Sequence, residues 1–241
     1  MKFLIVSGHE NSIGARSGGL LEEVMTQVLA DKVTAVLKEY GHDATEADFN
    51  LFRKLKAEGP TAELLAYDYI LEIHFNAGGG SGSEIFVAPG TKATDVERAI
   101  MKRLGKWFKL RDDAKPVDGV KVGGQFLILN KLAGKQPISL LEVAFIDSKA
   151  DMATYSANID AIAKDIALGI LEGHGLPTTR PGAQQDRYNG PYVNEAGEKL
   201  WFRAFAGSFQ TRQEAQAAVD ALKKSGYPGA WLMAAFVKEE K

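Results

Sequence analysis

Four residues in this 241-residue chain combine a reactive type with a suitable position: His9, Glu22, His74 and Glu142. His9 follows the apolar run Phe3-Leu4-Ile5-Val6 in Ser7-Gly8-His9, and Glu22 opens a helical stretch in Gly19-Leu20-Leu21-Glu22. His74 lies near the end of Tyr69-Ile-Leu-Glu-Ile-His-Phe75, and Glu142 lies within Ile138-Ser-Leu-Leu-Glu-Val-Ala-Phe145. These places read as strand ends or helix starts, which is where open α/β sheets bind ligands. Two histidines and one carboxylate fill three of the four positions around a zinc ion and leave one for water. Such an ion lowers the pKa of that water to about 7. A further carboxylate that does not ligate can take the water's proton and pass it to a leaving nitrogen. Glu142 suits that role, because a carboxylate inside an apolar strand is costly unless metal, water or substrate meets it.

Taken singly, most of these residues also have an ordinary reading. A histidine after a strand is commonly a structural hydrogen-bonder. A glutamate at a helix start gains from the positive end of the helix dipole. Glu142 is the hardest to explain in that way, because its flanks are apolar. Glu72, two residues before His74, is read as either supporting His74 or solvated. His42 and His174 are read as plain loop or helix-end residues.

The elements that must position these residues alternate. The sequence predicts strands at Phe3–Val6, Tyr69–Phe75, Ser83–Ala88, Gln125–Leu129 and Ile138–Phe145. It predicts helices at Leu20–Tyr40, Asp95–Leu110 and Ala157–Leu171, with Gly41 ending the first. This pattern implies an α/β fold: a mixed, mostly parallel sheet covered by helices on both faces. The stretch 176–188 holds two prolines and a glycine and little that is apolar, which reads as a linker. Beyond it, Lys199–Phe209 reads as a strand, Thr211-Arg-Gln-Glu214 has capping-box spacing and opens a helix to Lys224, and Trp231–Val237 reads as a second strand. The expected organisation is a catalytic domain over 1–175, a linker over 176–188 and a small α+β module over 189–241.

Composition narrows the function classes. The chain is 45% hydrophobic and 25% charged, with a formal charge of −2. That balance gives no reason to expect nucleic acid as a partner. There is no apolar run of the roughly 20 residues that membrane insertion needs. Cysteine is absent, so disulfides, thiolate metal sites and a Cys nucleophile are excluded. The amino terminus reads as a buried strand rather than a secretion signal, so the expectation is synthesis in the cytosol, with any export by another route.

The segments Ser7-Gly8-His9, Gly19-Leu20-Leu21-Glu22, Ile73-His74-Phe75-Asn76-Ala77 and Leu140-Leu141-Glu142 resemble, in order and spacing, the motifs of the type-3 N-acetylmuramoyl-L-alanine amidases of bacterial cell-wall hydrolases and phage endolysins. The resemblance covers roughly residues 1–175. It implies one zinc ion held by His9, Glu22 and His74, Glu142 as general acid and base, and a substrate contact from Asn76. The first motif reads Gly8-His9-Glu10 where many members have Gly-His-Gly. Glu22 and Glu23 are adjacent and point about 100° apart on a helix. The Gly-x-x-Glu register favours Glu22.

The tail resembles a SPOR-type peptidoglycan-binding domain through Trp201-Phe-Arg-Ala-Phe-Ala-Gly-Ser-Phe209, the Ala-rich stretch after it and Gly226-Tyr227. That implies wall contacts from Phe205, Phe209 and Trp231, although each of these aromatics taken singly reads first as part of a small core. Only one β-α-β half of a SPOR domain is apparent, so a homodimer through the C-terminal module is expected.

Together these readings imply a peptidoglycan hydrolase cutting between N-acetylmuramic acid and L-alanine, with a phage endolysin preferred. The alternatives are a mother-cell or sporulation amidase of the same chemistry, a zinc peptidase cutting within the stem peptide, and an inactive wall-binding protein.

Overall fold

A computed structural model describes residues 1–111 and 118–181, with the backbone of two short strands at 192–193 and 199–200. The chain starts with β1 (Lys2–Ser7). A small antiparallel ribbon of β2 (Arg16–Ser17) and β3 (Leu20–Leu21) leads directly into α1 (Glu22–Glu39). Then follow β4 (Asp43–Glu46), α2 (Leu51–Ala57), a 3-10 turn (Leu64–Ala66), β5 (Tyr69–Asn76) and β6 (Glu84–Val87). The unit is completed by α3 (Asp95–Leu104), β7 (Val120–Val122), α4 (Leu127–Leu132), β8 (Ile138–Phe145) and α5 (Lys149–Gly173).

Six of these strands form one sheet in the order β4-β1-β5-β8-β6-β7. All neighbours run parallel except β6 and β8, which are antiparallel. The chain divides into two compact units, Met1–Ala183 and Gln184–Lys241. In the second, β9 (Tyr192–Val193) and β10 (Lys199–Leu200) pair antiparallel. The expected wall-contact residues Phe205, Phe209 and Trp231, and the helix expected from Thr211, lie outside the described residues.

Alternation along the strands sorts side chains onto two faces. Phe3, Ile5, Tyr69, Leu71, Ile73, Phe75, Ile85, Leu141 and Val143 pack with α1, α3 and α5. Leu4, Val6, Ile70, Phe86, Ile138 and Leu140 pack with α2 and α4. The second face changes character along its strands. On β5, Ile70 is followed two and four residues later by Glu72 and His74, and on β8 Leu140 is followed by Glu142. Hydrophobic cover thus ends where the ionisable groups begin, at the carboxyl ends of the parallel strands.

Two sequence expectations are corrected. Gln125–Leu129 is not a strand; Leu127–Leu132 is helical, with Ile128, Leu129 and Leu132 buried. A short apolar run carries no distinguishing period, and the spacing of the buried residues is that of a helix. The helix predicted to reach Leu110 stops at Leu104, capped by Gly105. Four short elements had no clear signal in the sequence: β4, α2, β7 and the ribbon of β2 and β3. Gly41 follows α1 at φ +85°, as its predicted stopping role requires.

α3 and α5 pack closely. A Cβ on Gly169 in α5 would lie 2.7 Å from the Cα and 2.8 Å from the N of Ile100 in α3. Helix propensity alone favours Gly169→Ala by about 1 kcal/mol. Overpacking against a backbone costs about 1–3 kcal/mol and reverses the sign. Gly169→Ala should therefore lower the denaturant midpoint of the first unit. A raised midpoint would show that the helices can separate freely.

Candidate metal centre

β1 ends at Ser7, and the chain turns sharply through Gly8 and His9. His9 has φ +64°, in the left-handed region, and so does Asn11 at +55°. Histidine tolerates this conformation at a modest cost, and such cost collects at functional sites. The turn is pinned from several sides. The Gly8 amide donates to Ile73 O at 2.8 Å, and the Thr26 hydroxyl of α1 donates to Gly8 O at 2.8 Å. Glu10 accepts from the Ser7 hydroxyl at 3.2 Å, and its carbonyl accepts from the Asn50 amide at 2.9 Å. Glu10 thus ties down the loop at the position where the motif differs from Gly-His-Gly.

Glu22 is the first residue of α1 and is 3% exposed. Its Oε2 accepts from the Ala15 amide at 2.7 Å, and its Oε1 accepts from the Phe75 amide at 3.0 Å. Those oxygens also lie 3.3 Å from His9 Nε2 and 3.1 Å from His74 Nδ1. Of the two adjacent glutamates, Glu22 is the one at the cluster. The two imidazole rings stand edge to face, with centroids 5.0 Å apart. One ligand-type atom from each of His9, Glu22 and His74 lies within 4.8 Å of the other two. Close glycines make room. A Cβ on Gly8 would come within 2.4 Å of His74 Cε1, and one on Gly14 within 2.6 Å of Glu22 Oε2 and 2.7 Å of His9 Cδ2. The sequence reading missed Gly14, whose requirement comes from side chains distant in sequence.

His74 presents Nδ1 to the cluster and Nε2 to Glu72, whose Oε1 is 3.5 Å away. Glu72 is 4% exposed, so it is a buried support and not a solvated residue. A proton on Nε2 leaves the Nδ1 lone pair facing His9 and Glu22, the arrangement by which a carboxylate behind a ligating histidine fixes its tautomer. Glu142 is the direct cross-strand neighbour of His74 on β8 and of Glu84 on β6. Its Oε2 is enclosed and has no hydrogen-bond partner among the described residues. Asn76 donates to Glu84 at 2.6 Å, and its Oδ1 accepts from the Ala77 amide at 2.9 Å. Glu84 was passed over in the sequence, although it opens an apolar strand as Glu142 interrupts one. His42 and His174 lie elsewhere, against the Phe3 ring at 5.7 and 5.6 Å.

The electrostatics divide the carboxylates. Burial pushes Glu22 upward, but hydrogen bonds from His74 and from the Ala15 and Phe75 amides outweigh it and hold the carboxyl below its ordinary value. Burial would lower His74, yet Glu22 and Glu72 raise it well above the usual imidazole range. Burial holds His9 below that range. Glu142 is pushed up to about 7, first by burial, with Glu22, Glu84 and Glu72 adding to the rise and His74 opposing it. Nitrogen and carboxylate donors in this arrangement suit a divalent cation, which would replace the proton on His74 and neutralise the excess of carboxylates.

Residues 4–172 match the family model described as N-acetylmuramoyl-L-alanine amidase. The chain belongs to the N-acetylmuramoyl-L-alanine amidase family. This amidase is 31% identical over 188 residues to the N-acetylmuramoyl-L-alanine amidase CwlM of Bacillus licheniformis, covering 73% of this chain and 70% of the relative. It is 27% identical over 187 residues to the sporulation-specific N-acetylmuramoyl-L-alanine amidase of Bacillus subtilis strain 168, covering 74% and 70%. Its fold matches the catalytic domain of the CD27L endolysin targeting Clostridia difficile with a TM-score of 0.57 at 24% identity, over 71% of this chain and 97% of that one. Residues 183–234 match the SPOR domain. No helix among the described residues is long and apolar enough to cross a membrane.

Two outcomes follow for the metal-free amidase. Native Glu142 keeps its proton between its ordinary value of 4.5 and about 7, whereas the unfolded chain releases it, so stability falls as pH rises through that window. Glu142→Gln should reduce this slope, to which Glu46, raised to about 8 by burial and Asp31, also contributes, and stabilise the metal-free protein at pH 8 by on the order of 1–3 kcal/mol in urea titrations. An unchanged slope would contradict the raised value. Glu72→Leu should weaken divalent-metal binding by about 10–100-fold in a chelator competition while the fold persists. Full metal affinity in that variant would show that Glu72 does not orient His74.

Proposed function

We propose that this amidase holds one zinc ion through His9, Glu22 and His74, with Glu142 as general acid and base, and cuts the amide between the lactyl group of N-acetylmuramic acid and L-alanine. The observation that carries this reading is the convergence of the two imidazoles and Glu22 within 4.8 Å, beside an enclosed carboxyl whose pKa is about 7. When bound, zinc supplies Lewis acidity to the scissile carbonyl and to water. The chain's own residues do the rest. Glu22 and Glu72 fix the two faces of His74. The Gly8 turn sets His9. Glu142 takes the proton from the attacking water and delivers it to the alanine nitrogen as the bond breaks.

The SPOR match supports a wall-binding tail, with Phe205, Phe209 and Trp231 as its contacts. A catalytic unit joined to such a tail raises the local concentration of catalyst at a polymeric wall. Homodimerisation through the tail concerns residues outside those described. For biological setting the preferred role is a phage endolysin, supported by the fold match to an endolysin catalytic domain. The sporulation-specific relative favours a second setting, lysis of a mother cell, with the same chemistry.

Mass spectrometry of digested peptidoglycan tests the chemistry. Expected products are stem peptides with a free amino-terminal L-alanine and peptide-free glycan, both lost on chelation and restored by zinc. Glu142→Gln should retain zinc and lose about 10²–10⁴-fold in rate. Cuts inside the stem peptide would replace the amidase reading with a peptidase, and absence of cleavage by the zinc-loaded protein would favour a wall binder.

A further inference from the structure

Beside Glu142 lies a group of residues to which the reaction above gives no step: Glu84 on β6, Lys121 on β7, Asn76 on β5 and Arg111 after α3. Glu84 faces Glu142 across the antiparallel pair and is 4% exposed. Two buried carboxyls in adjacent positions repel, and Glu84 is compensated by two cations and one hydrogen-bond donor. Lys121 Nζ lies 2.6 Å from its Oε2, Arg111 Nε lies 3.4 Å from its Oε1, and Asn76 donates to Oε1 at 2.6 Å. The two cations meet a single anion, so the group carries one surplus positive charge among the described residues. Neither cation is used up. Lys121 has three N–H donors and Arg111 five, and both side chains retain solvent access, at 22% and 35%.

Arg111 is also held in place. Its guanidinium lies 4.6 Å from the centroid of the Phe145 ring, and its Nη1 donates to Ser81 O at 3.4 Å. Gly80 passes so close that a Cβ there would lie 2.4 Å from the Phe145 ring and 3.0 Å from Arg111 Nη1. A guanidinium stacked on a ring and tethered at one nitrogen has already lost much of its rotamer freedom. A planar fork with donors to spare matches a carboxylate. Adjacent strands are about 4.8 Å apart, so Glu84, which both cations meet, stands about one strand spacing from Glu142. An extended peptide advances about 3.5 Å per residue. A group held by these cations while Glu142 meets the scissile nitrogen therefore sits one or two residues along the leaving peptide.

We propose that Arg111 and Lys121, arranged by Glu84 and Asn76, form a subsite for a free carboxylate on the leaving peptide. The inference rests on the amidase reading and deepens it. The subsite makes the enzyme prefer stem peptides in which the residue after L-alanine, a glutamate linked through its side chain, keeps its α-carboxylate over those in which that group is an amide. The amide lacks the charge that the surplus cation would meet, and it brings N–H groups toward donors.

Two synthetic muramoyl dipeptides, one with the free α-carboxylate and one with the α-amide, test this with the zinc-loaded full chain. The wild type should show at least a tenfold higher kcat/KM on the acid, carried by KM. Arg111→Gln and Lys121→Gln, each checked for an unchanged melting transition, should raise KM on the acid about tenfold and close the gap between the substrates. Arg111→Lys, which keeps charge without the fork, should recover part of it. Equal kcat/KM on both substrates by the wild type, or variants that lose rate equally on both, would overturn the subsite while leaving the amidase intact. Cleavage of neither substrate, with no release of free-L-alanine peptides from whole peptidoglycan, would overturn the reading beneath it as well.

Discussion

The carboxylate of Glu22 sits between two imidazoles, and the architecture of the first unit converges on keeping it there. Each of its oxygens accepts a backbone amide, one from the loop before β2 and one from β5, and each faces a different histidine. A buried carboxylate is unstable without such partners. The same contacts therefore make burial tolerable and fix the spacing of His9 and His74. Because Glu22 begins α1, the helix must start at that depth. The short ribbon of β2 and β3 brings the chain there without a side-chain cap at Leu21.

The sheet supplies the rest of the positioning. Side chains alternate, so Glu72 and His74 share a face of β5, and parallel pairing places Glu142 directly beside His74. On that face apolar residues fill the part covered by α2 and α4, and carboxylates occupy the uncovered ends. The low-dielectric core and the reactive cluster are therefore two parts of one surface. That nearness raises Glu142 and lets neighbouring carboxylates act on it strongly.

The carboxyl groups at the site take different roles because their surroundings differ. Glu22 is surrounded by donors and stays charged. Glu142 has an oxygen without a hydrogen-bond partner among the described residues and holds its proton toward neutrality. Glu84 is charge-compensated by a lysine and an arginine, and Glu72 supports the far side of an imidazole. Four glutamates of identical intrinsic chemistry are thus set apart by burial, hydrogen bonds and ion pairs.

The sequence by itself determined the α/β class, the main strands and helices, and the candidates His9, Glu22, His74 and Glu142. Periodicity and the position of a reactive residue at a strand end are local properties, readable within a few residues. The apolar flanks of Glu142 carried the same kind of local signal. The helix at Leu127–Leu132 was misread because the apolar run Phe126–Leu129 is too short to carry a period that separates helix from strand. Only the tertiary structure decided that Gly14 must lack a side chain, that Glu72 stands behind His74, and that Arg111 and Lys121 share Glu84. Each of these depends on atoms from segments far apart in sequence meeting within a few ångströms, and no spacing along one chain encodes which of its residues will be neighbours across a sheet.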